Sequence, residues 1–167
     1  MISIASVLRF SLISFIVAAA ISPAHASLGE TLDQLKSRWG KPEQQQQPRK
    51  DQAVWLFEVD DGQLLYSVTF DAKGHSIAEG LRPLKRASFT KDIAQDFIQG
   101  QIARIRDSKT LRTCKAGDKY QFAGQVFTCA DGEVAIVDDV NGVLVVWTQK
   151  GVPSVMAVSH VMVQQTH

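Results

Sequence analysis

A run of apolar residues long enough to cross a membrane is missing from this sequence. The longest, Phe10 to Ile21, has twelve residues, about 18 Å as a helix at roughly 1.5 Å per residue, against a bilayer core of roughly 30 Å. A surplus of charge of either sign is missing too. Lys and Arg number 18 against 17 Asp and Glu, so bulk electrostatics gives no grounds for a nucleic-acid partner. There are two cysteines and four histidines, with no C-x-x-C or H-x-x-x-H spacing, and neither a metal site nor a cofactor is expected. Neither a G-x-S-x-G nucleophile motif nor a Gly-rich phosphate loop occurs, which removes the familiar hydrolase and nucleotide-binding chemistries.

What the N-terminus does contain is an export pattern. Arg9 precedes the apolar run, and Pro23 leads into Ala24-His25-Ala26, with small residues where a signal peptidase reads. Residues 1–26 therefore read as a signal peptide, and residues 27–167 as a single domain in the periplasm or outside the cell. In that oxidising compartment Cys114 and Cys129, with 14 residues between them, are expected to form a structural disulfide.

Helix and strand signals alternate along the remaining chain. Thr31-Leu32-Asp33-Gln34 has the form of a capping box, Leu28, Leu32, Leu35 and Trp39 recur at helical spacing, and Gly40-Lys41-Pro42 is a stop. Glu43 to Lys50, with four consecutive glutamines and Pro48, reads as a surface loop. Ala53 to Val59, Leu64 to Phe70 and Ser76 to Leu81 read as a three-stranded meander, turned at Asp61-Gly62 and Asp71 to Gly74. Thr90 caps a second helix whose buried stripe is Ile93, Phe97, Ile98, Ile102 and Ile105. Five further strands are predicted: Tyr120 to Phe122, Gln125 to Cys129, Glu133 to Asp138, Val143 to Thr148 and Ser154 to Val163. The last is apolar on both faces, which predicts either cover on both sides or an exposed binding edge.

Helix, strands, helix, strands is an α+β order, with short helices packed on antiparallel sheet. Leu56 to Leu64 and Val126 to Val134 share Phe, Asp and Gly at an offset of 70 residues. This weak echo is compatible with a duplicated helix-plus-meander unit, with halves 27–87 and 88–167, and equally with two hairpins converging on one pattern.

The segment from Leu28-Gly29-Glu30-Thr31 through Trp39-Gly40-Lys41-Pro42, together with Trp55-Leu56-Phe57 and Val68 to Gly74, resembles a group of small exported bacterial proteins. The group is similar to the small lipoprotein of the outer-membrane β-barrel assembly machinery and, more distantly, to the β-lactamase-inhibitor-protein fold. The chain departs from the lipoprotein in having no cysteine near the expected cleavage site to carry a lipid. The resemblance implies helices on an antiparallel sheet that binds proteins through its face and loops.

Candidate functional residues follow from charge and chemistry. Residues 82–119 carry 10 basic and 4 acidic side chains, whereas the flanking segments are acidic. Arg104, Arg106, Lys109, Arg112, Lys115 and Lys119 are thus a candidate strip for anionic lipid headgroups or an acidic partner, set against a simpler role in helix-dipole compensation and solubility. Asp60-Asp61 and Asp138-Asp139 read as solvated turn acids; an envelope enzyme requires one of Asp60, Asp61 or Asp138 to meet His75 or His160 in a pocket. Trp39, Trp55 and Trp147 fit a core. The leading expectation is a non-enzymatic exported module that binds another envelope or secreted protein.

Overall fold

The computed structural model describes residues 28–49, 52–84, 89–103, 105 and 107–160. The signal-peptide segment, Arg104, Arg106 and the tail from Val161 lie outside the described residues. Thr31 caps α1 (Leu32–Trp39): its hydroxyl accepts from the Gln34 N–H, and the Thr31 N–H donates to Gln34 Oε1 at 2.8 Å. Four strands follow, β1 (Gln44–Arg49), β2 (Gln52–Val59), β3 (Leu64–Phe70) and β4 (Ser76–Pro83). Thr90 then caps α2 (Lys91–Ile102), and six more strands complete the order: β5 (Arg112–Lys115), β6 (Lys119–Phe122), β7 (Gln125–Thr128), β8 (Glu133–Asp138), β9 (Val143–Thr148) and β10 (Ser154–Ser159).

Eight strands form one antiparallel sheet in the order β1-β2-β3-β4-β10-β9-β8-β5, and β6 and β7 form a separate hairpin. The first four strands and the last three are consecutive meanders that meet where β4 pairs with β10. Each half is a helix followed by four strands of the large sheet, with the hairpin inserted after β5 in the second half. The sequence echo does not follow this correspondence. It matches the β2–β3 turn with the β7–β8 connection, whereas the topological counterpart of β2–β3 is β8–β9.

Two cores lie on opposite faces of the sheet. Strand register places Phe57, Tyr66, Leu81, Val155 and Trp147 in one cross-sheet row, and both helices cover that face through Leu35, Phe97 and Ile98. On the other face the hairpin lies over the second half of the sheet. Its Tyr120 and Phe122 share a cluster with Cys114, Cys129, Ala135, Val137 and Leu144. The molecule is therefore α+β, two short helices against a large antiparallel sheet, with a hairpin behind one end.

Several expectations need correction. Gln44–Arg49 is a strand, because pairing with β2 supplies backbone partners that a polar segment gives no apolar signal for. Arg112–Lys115 is likewise a strand, paired with β8. The final strand is central rather than an edge, flanked by β4 and β9. The expected disulfide is absent: Cys114 and Cys129 are buried free thiols. The Cys129 Sγ–H donates to the Cys114 main-chain carbonyl at 3.8 Å, so the sulfur is directed at the strand backbone rather than at its sulfur counterpart.

Candidate functional site

The hairpin covers β5, β8, β9 and the end of β10, and no other described residue covers the opposite end of the same face. Register sets Leu56, Ser67, Gly80 and Met156 in one row across β2, β3, β4 and β10, with Val54, Thr69 and Ala78 in the next. The small side chains of Ser67, Thr69 and Ala78 and the absence of one at Gly80 leave a trough of about 240 Å³, lined also by Arg82 and Met156 among others. Gly80 sets its depth. A Cβ there would stand 2.9 Å from Ser67 Oγ, and Ser67 Oγ itself donates to the Gly80 carbonyl. Met156 is 47% exposed at the centre of the sheet, and Arg82 stands exposed at the rim.

Behind this open face, on the helix side, Glu79 sits in a row of Trp55, Val68, Ala157 and Val145 and is fully buried. Its Oε1 accepts from Ser76 Oγ at 2.7 Å and its Oε2 from Gln101 Nε2 at 2.6 Å. The wiring continues to the chain entering α1: the Leu28 N–H donates to Gln101 Oε1, and the Gly29 and Glu30 N–H groups donate to Ser76 Oγ. Burial pushes the Glu79 carboxyl up, opposed by the hydrogen bonds from Ser76 and Gln101. The Tyr66 hydroxyl, buried beside it, is pushed well above its ordinary range by burial and then by the Glu79 charge, but makes no hydrogen bond of full geometry. This network ties the chain entry, β4 and α2 together, and it faces the helices rather than the trough.

The candidate basic residues do not share one face. Arg112 alternates with Thr113, so it points with Cys114 to the hairpin side while Lys115 points to the helix side. Lys109 lies in the segment before β5, and Lys119 begins β6. All four are exposed, and none forms an ion pair among the described residues. On the outermost strand of the sheet, Arg112 and Lys115 also serve the ordinary role of cations that discourage edge pairing.

Nor are the candidate acids brought to a histidine. Asp60 and Asp61 form the β2–β3 turn, both with positive φ. Asp138 is buried, which corrects the expectation of a solvated turn acid: it accepts from Thr110 Oγ1 at 2.7 Å, Asn141 Nδ2 at 2.7 Å and the Asn141 N–H at 3.0 Å. Burial raises its carboxyl, but hydrogen bonds from Ser108, Asn141 and Thr110 outweigh that and hold it down at about 2. Register puts Asp138 on the face of Val143 and Ser159; His160 follows on the other face, edge-on to Phe122 at 5.1 Å. His75 lies in the exposed β3–β4 turn, its N–H bonded to Asp71 Oδ1. Trp39, Trp55 and Trp147 are partly buried against the helix-side core. Among the described residues no cluster of His, Cys, Asp and Glu has metal-ligand geometry.

No protein-family model matches the chain, and no curated protein is significantly similar to it. Among solved structures, it is similar to a cysteine-rich secretory protein from Staphylococcus aureus subsp. aureus Mu50, with 14% identity and a TM-score of 0.48. That alignment covers 81% of this chain and 46% of the other, so the chain spans about half the length of that protein.

Proposed function

We propose that this chain is an exported, non-catalytic module that holds a segment of another envelope or secreted protein on the open end of its sheet. The supporting observation is the row of Leu56, Ser67, Gly80 and Met156, which no described residue covers, flanked by the hairpin on one side and backed by the helix-side core. A sheet face left to water ordinarily alternates toward polar residues. Here Val54 and Leu56, both half-buried, lie on that face beside a trough that Ala78 and Met156 help to line. Partner side chains seated there gain from apolar burial, and the Arg82 guanidinium offers a bidentate site for a carboxylate at the rim.

The test is a photo-crosslinking residue at Met156, compared with one at Lys73 in the exposed β3–β4 turn, in cells that export the protein. The reading expects a discrete adduct from position 156 that Gly80→Val abolishes, and none from position 73. Identical adducts from both positions, or an adduct indifferent to filling the trough, overturn it.

A further inference from the structure

Among the described residues the two sheets have four strand edges, and they are not alike. At the outer edges of the large sheet, β1 contains Pro48 and Arg49, and β5 contains Arg112 and Lys115. Proline and cations are what soluble proteins place on edges to prevent further strands from adding. The hairpin has two free edges: β6 begins with Lys119, a cation, whereas β7, Gln125-Val126-Phe127-Thr128, has neither a charge nor a proline. Val126 is 70% exposed and Phe127 37% exposed.

The hydrogen-bond phase of this hairpin is fixed. Ala123 and Gly124 both have positive φ, as a two-residue turn that matches strand twist requires, and they close the pair Phe122 and Gln125. The Cys129 N–H donates to the Asp118 carbonyl further along. Alternation between these points makes Tyr120 and Phe127 a hydrogen-bonded pair and turns the N–H and C=O groups of Val126 and Thr128 outward. No protein group among the described residues bonds those outward groups.

We propose that β7 pairs with β7 of a second copy of this chain, antiparallel, about a two-fold axis through Phe127. That register matches Val126 of each copy with Thr128 of the other, so every outward donor meets an acceptor. It sets Phe127 opposite Phe127 of the second copy. Phe127 already stacks on Tyr120 at 5.6 Å between ring centroids and 21° between planes, so the pairing extends two aromatic rings into a row of four. Charge permits it. The nearest cation, Lys119, lies opposite Thr128, and in the proposed register its row ends on Gln121 of the other copy rather than on a second lysine. An isologous contact of this kind closes at two copies and leaves no free β7 edge. Two strands of four residues cover less than the roughly 1,000 Å² that a stable interface needs, so the dimer is a weak one, formed at high local concentration.

Sedimentation equilibrium together with amide exchange on the folded protein tests the pairing. As concentration rises over about a hundredfold toward ~1 mM, the average mass is expected to climb toward two chains, in keeping with a small interface. The Val126 and Thr128 amides should slow their exchange in parallel. Val126→Pro deletes an outward N–H that the hairpin does not use, and Val126→Lys places a charge on an exposed position; each should weaken association at least tenfold with the melting temperature held. A monomer at every concentration overturns the proposal. So does a dimer that both variants leave intact, or one whose protected amides lie elsewhere, such as around Met156.

Discussion

Gln101 Nε2 donates to Glu79 Oε2 at 2.6 Å inside the core, between α2 and the middle of the sheet. Its orientation is set from behind, because the Leu28 N–H occupies Gln101 Oε1. Ser76 is set in the same way by the Gly29 and Glu30 N–H groups. The Ser76 hydroxyl and the Gln101 amide are thus both left to donate to Glu79, which makes a carboxylate, an acceptor on both oxygens, the group that fits.

Burial nonetheless raises the Glu79 carboxyl above its unfolded value. A carboxyl raised in the folded state leaves the native protein binding more protons than the unfolded chain. Stability is therefore expected to fall as pH rises from about 4.3, the unfolded range, through the raised native value. Glu79→Gln removes that slope. It also sets an amide N–H against the donor of Ser76 or Gln101, at a cost of about 1–3 kcal/mol near neutral pH. Urea midpoints at pH 5 and 7.5 check both. Equal slopes in the two proteins, or a variant more stable at pH 7.5, contradict the expectation.

Asp138 has the opposite sign. Its carboxyl is held down at about 2, below an unfolded value of about 3.9. The stability it contributes is complete above the unfolded value and is lost as pH falls through the native one. Asp138→Asn keeps the shape but leaves fewer acceptors for Thr110 and Asn141, and should cost about 1–3 kcal/mol at pH 7. The difference between the proteins should shrink below about pH 3. Thermal melts across pH 2.5–7 read it directly; a constant difference at all pH values refutes the assignment.

The capping box at Thr31 and the alternation from Leu64 to Phe70 were legible because their signals are local: a cap and a period of two need no knowledge of partners. Gln44–Gln46 and Arg112–Lys115 were not, since a polar edge strand becomes a strand through a neighbour distant in sequence. Glu79, Gln101 and Asp138 needed the most tertiary information. Traces of them were present nonetheless. Glu79 falls on the same alternation as Leu81, and Gln101 interrupts the stripe of Phe97, Ile98 and Ile102. Asp138, three residues before Asn141, has the spacing of a side chain that caps a turn. The cysteines misled because two thiols in an expected oxidising compartment suggest pairing, whereas each is accommodated here as a small apolar core residue.

Two free thiols give a count. Cys114 and Cys129 are 6% and 2% exposed, and burial followed by the Glu133 charge pushes the Cys129 thiol up. Purified folded protein at pH 8 should react slowly with a thiol reagent at both positions and release two equivalents in urea without reductant. Cys129→Ser buries a hydroxyl among Tyr120, Phe122 and Ala135, an expected loss of about 1–3 kcal/mol. No titratable thiol in urea overturns this reading.

Gly132 opens β8 against Lys150, and two separable effects meet there. Its φ is +81°, a conformation that favours glycine, and an alanine Cβ would stand 2.5 Å from Lys150 Cγ and 2.8 Å from its Cβ. Those Lys150 atoms are next to the backbone and cannot swing away as the end of the side chain can, and the Gln149 N–H, bonded to the Gly132 carbonyl at 2.7 Å, holds the neighbouring chain in place. Gly151 supplies the comparison: φ is +77° with nothing within 4 Å of an added Cβ. Gly151→Ala should therefore cost only the backbone part, about 1 kcal/mol. Gly132→Ala should cost that and a packing part of about 1–3 kcal/mol more. Lys150→Ala alone loses an exposed pair with Asp131, which surface ion pairs make a minor change. In the Gly132→Ala background it removes the Cγ collision, so it should restore part of the lost stability. The double-mutant cycle from urea melts checks the coupling, and strict additivity of the two substitutions contradicts a steric contact between these residues.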